Sequence, residues 1–188
     1  MPGTGVYPNG QFLGFDAASP AFDPSYPFRG VLHTTESVDY TPSSTSYYGN
    51  DYAPHFTVAR KGSSTKVYQH FSTNNGSRAL ANATGGVETN RAGAIQIEIA
   101  WRAANIANMP PDMVTALHDL IAWISNAKGI ARTAPSFFGA NQGYGTGAPS
   151  RMSFQTWRSY NAWCGHQHVP ENKHWDPGLI NMAPLLQP

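Results

Sequence analysis

Apolar and polar residues alternate most clearly over residues 94–101, Ala-Ile-Gln-Ile-Glu-Ile-Ala-Trp, with Ile95, Ile97 and Ile99 on one face and Gln96 and Glu98 on the other. A period of two predicts a strand with one face in a core. The period then lengthens: Met113, Leu117, Leu120, Ile121 and Ile124 recur at helical spacing. Pro110-Pro111 and Asp112 suit the first turn of that helix, and Gly129 suits its C-terminal cap. Two β-branched, alternating runs, 55–60 and 66–71, flank Lys61-Gly62-Ser63-Ser64 and predict a β-hairpin. Residues 29–35 (Arg-Gly-Val-Leu-His-Thr-Thr) read as a short buried strand ending in polar residues. Shorter helices are expected over 77–83, stopped by Gly85-Gly86, and from Asp176-Pro177-Gly178 through Leu185.

Residues 1–28 are rich in Pro, Gly and aromatics without a period and predict an irregular arm. Residues 38–51 and 137–151 read as loops. Strands with intervening helices predict an α/β fold, a mixed central β-sheet packed by helices. In 188 residues there is no internal repeat and no dividing linker, so one domain is expected, the body over 29–188 with the arm 1–28 belonging to it.

Composition narrows the functions. Charged residues make up 12% of the chain and the net charge is +1, which excludes a nucleic-acid footprint or a polybasic membrane patch. Apolar residues reach 40%, too many for a disordered chain. Cys164 stands alone, so no internal disulfide is expected. Met1-Pro2-Gly3-Thr4-Gly5 has neither a basic nor an apolar run, so no signal peptide is expected. No stretch reaches the roughly 18 apolar residues of a membrane span, and stable membrane insertion is not expected.

Candidate chemistry concentrates near the C-terminus. Residues 166–178 hold three of the seven histidines, His166, His168 and His174, together with Asp176. Zinc accepts imidazole nitrogen and carboxylate oxygen, and a catalytic zinc uses three protein ligands beside an open position. His166 and Asp176 are ten residues apart, and a stiff loop folded back would bring both to one ion. By spacing alone His168 or His174 serves as well as His166. His33, at the polar end of its strand, is a candidate third ligand, the alternative being a hydrogen-bonded, partly buried histidine.

The order Gly30-Val31-Leu32-His33-Thr34-Thr35, Ala53-Pro54-His55-Phe56-Thr57-Val58, Ile95-Gln96-Ile97-Glu98 and Gly165-His166 through Asp176-Pro177-Gly178 resembles the zinc-dependent N-acetylmuramoyl-L-alanine amidases, which share the fold of peptidoglycan recognition proteins. The His-Trp-Asp-Pro-Gly ending is most similar to the amidase modules of actinobacterial, notably mycobacterial, phage endolysins. The resemblance runs from about Phe28 to about Ile180, and the 166–178 block is its most specific part. It implies one zinc ion per chain, held by His33, His166 and Asp176. It also implies Glu98 as the catalytic base; the alternative for Glu98 is a solvated charge or an ion-pair partner. The tyrosine that serves some members as base has no counterpart, because its place falls on Pro54, with Tyr52 two residues earlier. Where many members have a lysine two residues before the Asp ligand, this chain has His174, which takes over as the expected oxyanion donor. Cys164 does not inherit a ligand role and is expected to be a buried, inert thiol. His168 and His118 receive no family role.

The reaction that the resemblance implies is hydrolysis of the amide between N-acetylmuramic acid and L-alanine in peptidoglycan, by a monomer acting alone or as a module of a larger endolysin. The enzyme would wait in the host cytoplasm and reach the wall at lysis. His55, Asn74, Asn75 and Arg78 are candidate substrate-binding residues, and Tyr47-Tyr48 a candidate cleft wall. Two readings compete: a peptidoglycan-binding module without catalysis, and a zinc peptidase cutting the stem peptide.

Overall fold

The structure is a computed structural model that describes residues 5–15, 19–42, 47, 52–82, 84, 88–137 and 147–188. Its strands are β1 (Gln11–Phe12), β2 (Arg29–Thr34), β3 (Phe56–Lys61), β4 (Ser64–Gln69), β5 (Ala94–Ile99) and β6 (Trp163–Gly165), and its helices α1 (Pro111–Lys128) and α2 (Phe154–Ser159). Together the strands form one six-stranded sheet in the order β1-β4-β3-β5-β2-β6. β3 and β4 pair antiparallel as the expected hairpin, and every other pairing is parallel. The expected α/β class and mixed sheet are therefore found.

Each face of the sheet is covered differently. Leu32, Phe56, Val58, Ile95, Ile97 and Ile99 form the main core with Met113, Leu117, Leu120, Ile121 and Ile124 of α1. Gly129 ends α1 with φ of 65°, a left-handed conformation that glycine adopts without Cβ strain. On the opposite face Val31, Ala94 and Cys164 pack with Trp157 of α2, Leu80 and Val169. No described helix is long and apolar enough to cross a membrane.

Several elements depart from expectation. Residues 77–82 form no helix despite good local propensity, because Leu80 gives both backbone groups to the Asn90 side chain. The C-terminal segment forms turns, with Leu185 N–H bonded to Met182 O, instead of a helix; Pro184 supplies no N–H to continue one. The N-terminal arm is not wholly irregular, since β1 adds a parallel edge strand to β4 and Tyr7 enters the core. β6 and α2 were not anticipated; α2 spans six residues and starts at Ser153, whose side chain accepts from Thr156 N–H. The expected Gly85-Gly86 stop lies outside the described residues, as do much of the 38–51 and 137–151 loops and Tyr48.

Candidate metal centre and active-site cleft

Parallel strands bring polar residues to their carboxyl ends, where open α/β sheets bind ligands. β2 carries His33 in its next-to-last position, opposite Glu98 of β5, and Glu98 is in turn opposite Thr57 of β3. β6, on the other side of β2, ends at Gly165 and delivers His166 directly into a short 3-10 turn. The chain then returns to the sheet through Asp176, whose backbone carbonyl accepts from Gln167 N–H at 3.0 Å. That return needs glycine at position 165, where an added Cβ would stand 2.5 Å from Pro177 Cδ.

Three side chains meet at the floor. His33 Nδ1 lies 3.1 Å from His166 Nδ1, His166 Nδ1 lies 3.3 Å from Asp176 Oδ1, and His33 Nδ1 lies 3.7 Å from Asp176 Oδ2. Ligand atoms about 2.0–2.2 Å from a tetrahedral zinc stand roughly 3.3 Å apart, so the spacing and the donor set both fit that ion. This is the one such group of three or more metal-ligating side chains among the described residues.

The loop is held from outside. His166 Nε2 is 2.6 Å from Asn172 Oδ1; because that oxygen accepts, the ring hydrogen sits on Nε2 and the Nδ1 lone pair faces the cluster. Thr34 N–H donates to Asp176 Oδ2 at 3.2 Å. Arg151 donates through Nη1 to His166 O at 2.9 Å and through Nη2 to His174 O, clamping both ends of the histidine-rich turn.

Burial and neighbouring charge set the electrostatics. Burial, with His166 close by, takes His33 down to about 3, which keeps its ring neutral and able to ligate. Burial works the other way on Asp176, but His166, His33 and His174 hold its carboxyl well below the usual range. Glu98 is pushed well above the usual carboxylate range by burial, then by Asp176 and Glu36. One of its carboxylate oxygens is shielded and without a hydrogen-bond partner, while the side chain still borders the cleft.

The cleft above the cluster has a volume of about 470 Å³ and is walled by Thr35, Glu36, Tyr47, Tyr52, Ala79, Ala81 and Trp175, besides the residues already named. His174 stands at its mouth, with its side chain 62% exposed. Its ring stacks on His166 at 4.6 Å, and its Nδ1 is 3.8 Å from Asp176 Oδ1. Burial and His166 lower its pKa, so at neutral pH it offers an imidazole N–H instead of an imidazolium.

The structure thus brings His33, His166, Asp176, Glu98 and His174 together, and places the four substrate-binding candidates outside that cleft, Arg78 in an adjoining groove. His55 is fully buried, its Nδ1 accepting from Gln96 N–H at 3.0 Å and its Nε2–H donating to Asn75 O at 2.8 Å. Asn74 and Asn75 border a separate pocket behind Phe22, and Asn74 Oδ1 accepts from Lys128 at 2.9 Å. Their turn is tied away from the cleft by Gly76 N–H on Pro20 O and Thr73 N–H on Gly5 O. Arg78 lines a groove that shares Tyr52 and Ala81 with the metal cleft. His168 is a buried strut: its Nδ1 accepts from Gly165 N–H and its Nε2–H donates to Ser136 O, both at 3.0 Å. His118 lies at the surface of α1 beside Asp119. Cys164 is buried, its thiol pushed up to about 12 by burial.

Glu36, Asn172 and Arg151 escaped sequence reasoning. Glu36 left one signal, its place just after the polar strand end at His33-Thr34-Thr35. There its Oε1 accepts from Thr34 Oγ1 and Ala103 N–H.

Ligating side chains gathered at the strand ends of a mixed sheet, with a shielded carboxylate beside them, make an α/β enzyme. The chain belongs to the N-acetylmuramoyl-L-alanine amidase family, whose Amidase_2 model matches residues 27–179. It is accordingly a peptidoglycan amidase. Solved structures agree on the fold. A selenomethionine derivative of AmpD aligns with TM-score 0.60 at 13% identity, covering 98% of this chain and 97% of that one. Staphylococcus aureus hydrolase AmiA, solved in complex with its ligand, aligns with TM-score 0.54 at 12% identity, covering 92% of this chain and 74% of that one. No curated protein matches the chain.

Proposed function

We propose that this amidase is zinc-dependent, with one ion held by His33, His166 and Asp176, and that it is the lytic module of a phage endolysin, in keeping with the resemblance of its His-Trp-Asp-Pro-Gly ending. The observation that carries the zinc reading is the convergence of three buried ligand atoms, 3.1–3.7 Å apart, beneath a cleft that also holds Glu98. Zinc bound there supplies a Lewis acid that activates water and polarises the amide carbonyl.

The protein's own residues do the rest. Glu98 takes a proton from the attacking water and hands it to the leaving nitrogen of L-alanine. His174, at the mouth, donates its ring N–H to the oxygen that develops negative charge. The wall residues enclose a cleft whose mouth, at exposed His174, gives a substrate strand access to these groups.

The protein acts as a monomer, accumulates in the host cytoplasm and reaches the wall once the membrane is breached. Digestion of purified sacculi followed by mass spectrometry tests the reaction. Free stem peptides beginning at L-alanine, lost on chelation and restored by zinc, are expected; new amino termini inside the stem would make it a peptidase. No cleavage by the zinc-loaded protein would make it a binding module. Cells expressing the chain are expected to stay intact until the membrane is permeabilised, and then to lyse. Activity confined to soluble muropeptides, with sacculi untouched, would refute the lytic role.

A further inference from the structure

Gln96 is fully buried on β5, on the same face as Glu98 and two residues before it. Its amide orientation follows from backbone groups of fixed role. Leu80 N–H donates to Asn90 Oδ1 at 3.0 Å, and Asn90 Nδ2 donates to Leu80 O at 2.7 Å. Asn90 Oδ1 is therefore an acceptor, and the Gln96 atom 2.9 Å from it is Nε2. The other Nε2 hydrogen goes to Ser77 Oγ at 2.7 Å. Gln96 Oε1 is left over, buried and without a partner of full hydrogen-bond geometry.

Across the strand pair the same is true of His33 Nε2. The parallel register sets Val31 opposite Gln96 and His33 opposite Glu98, so the Gln96 and His33 side chains leave one face a single step apart. The Gln96 amide also lies near enough to the His33 ring to bear on its charge. A shielded carbonyl oxygen beside a shielded ring nitrogen satisfies both when the nitrogen carries the hydrogen.

We propose that Gln96 is a positioning residue for the metal centre: its Oε1 accepts from His33 Nε2–H and so turns the Nδ1 lone pair toward His166 and Asp176. Asn172 does the same for His166 from the other side. Both imidazoles are then set by neutral amide oxygens, which fix the tautomer without adding negative charge beside Asp176 and Glu98. With both ring hydrogens on Nε2, two lone pairs face each other across 3.1 Å, an arrangement that a bound cation relieves. The chain of bonds also joins the ligand to the cleft wall, because Leu80 lies between Ala79 and Ala81.

The inference rests on the zinc reading and is tested without substrate. In zinc-loaded protein, long-range proton–nitrogen NMR correlations are expected to place the His33 hydrogen on Nε2, protected from exchange. A His33 ring carrying its hydrogen on Nδ1 would overturn the proposal whatever any variant does. Gln96→Met, with wild-type circular dichroism and melting, is expected to raise the zinc Kd about 10–100-fold in competition with a chromophoric chelator. An unchanged Kd in that folded variant would equally overturn it. Zinc uptake without peptidoglycan cleavage would retire the amidase mechanism and leave the role of Gln96 standing; no uptake by the wild type would retire both.

Discussion

The two faces of β5 make opposite demands on alternate residues of one strand. Ile95, Ile97 and Ile99 face α1 in an apolar core, where residues of similar volume and shape are tolerated best. Gln96 and Glu98 face the cleft side, where one amide has both its hydrogens assigned and one carboxylate keeps a shielded, unpartnered oxygen. The first face stabilises the fold. The second leaves polar groups in a state that burial alone makes costly and that catalysis can use.

Removing a ligand is the most severe way to break this division. Asp176→Ala is expected to lose stoichiometric zinc and to reduce wall digestion to background, as read by metal analysis beside a turbidity assay. Retained zinc and activity would show that the cleft face does not hold the ion. Glu98→Gln comes next, with kcat down about 10²–10⁴-fold, zinc retained and melting temperature unchanged or raised, since a buried carboxyl is removed. His174→Ala is expected to cost about 10²–10³-fold in kcat with zinc retained, and a near-wild-type turnover would remove its role as donor. Ile97→Ala tests the other face: unfolding should ease by about 2–5 kcal/mol in denaturant titrations, with kcat of the folded fraction little changed.

The smallest expected effect is a pH slope. Buried His70 and His55 titrate at about 3 and about 4, below the ordinary value of 6.5, with burial the leading cause. Their folded forms bind fewer protons than the unfolded chain, so their stabilisation is present above pH 6.5 and is lost as pH falls from there toward 4 and 3. Each contributes a slope approaching about 1.4 kcal/mol per pH unit within its window. Unfolding titrations across that range on wild type and His55→Asn should differ in slope, and parallel curves would contradict the assignment.

Periodic elements are legible in the amino-acid order alone: β5, α1 and the β3–β4 hairpin carry their own pattern. Residues 77–82 mislead because local propensity is overridden by Asn90, a residue that the helical reading never involves. α2 is too short to show a period, and Ser153 is its one local cue. At the site, His33, Glu98, His166 and Asp176 are reachable from strand ends, spacing and resemblance. Gln96, Asn172 and Arg151 are not, because their roles exist only once the register of β2 on β5 and the return of the 166–176 loop are known. His55 misleads for the related reason that its place next to Pro54 says nothing about which way its ring is tied.

Anomalous diffraction at the zinc edge, on crystals grown from zinc-replete protein, decides whether His33, His166 and Asp176 hold the metal. A single strong peak is expected at the carboxyl ends of β2 and β6, about 2.0–2.2 Å from His33 Nδ1, His166 Nδ1 and an Asp176 carboxylate oxygen. A peak bound elsewhere, or none between these three side chains, would contradict the zinc reading.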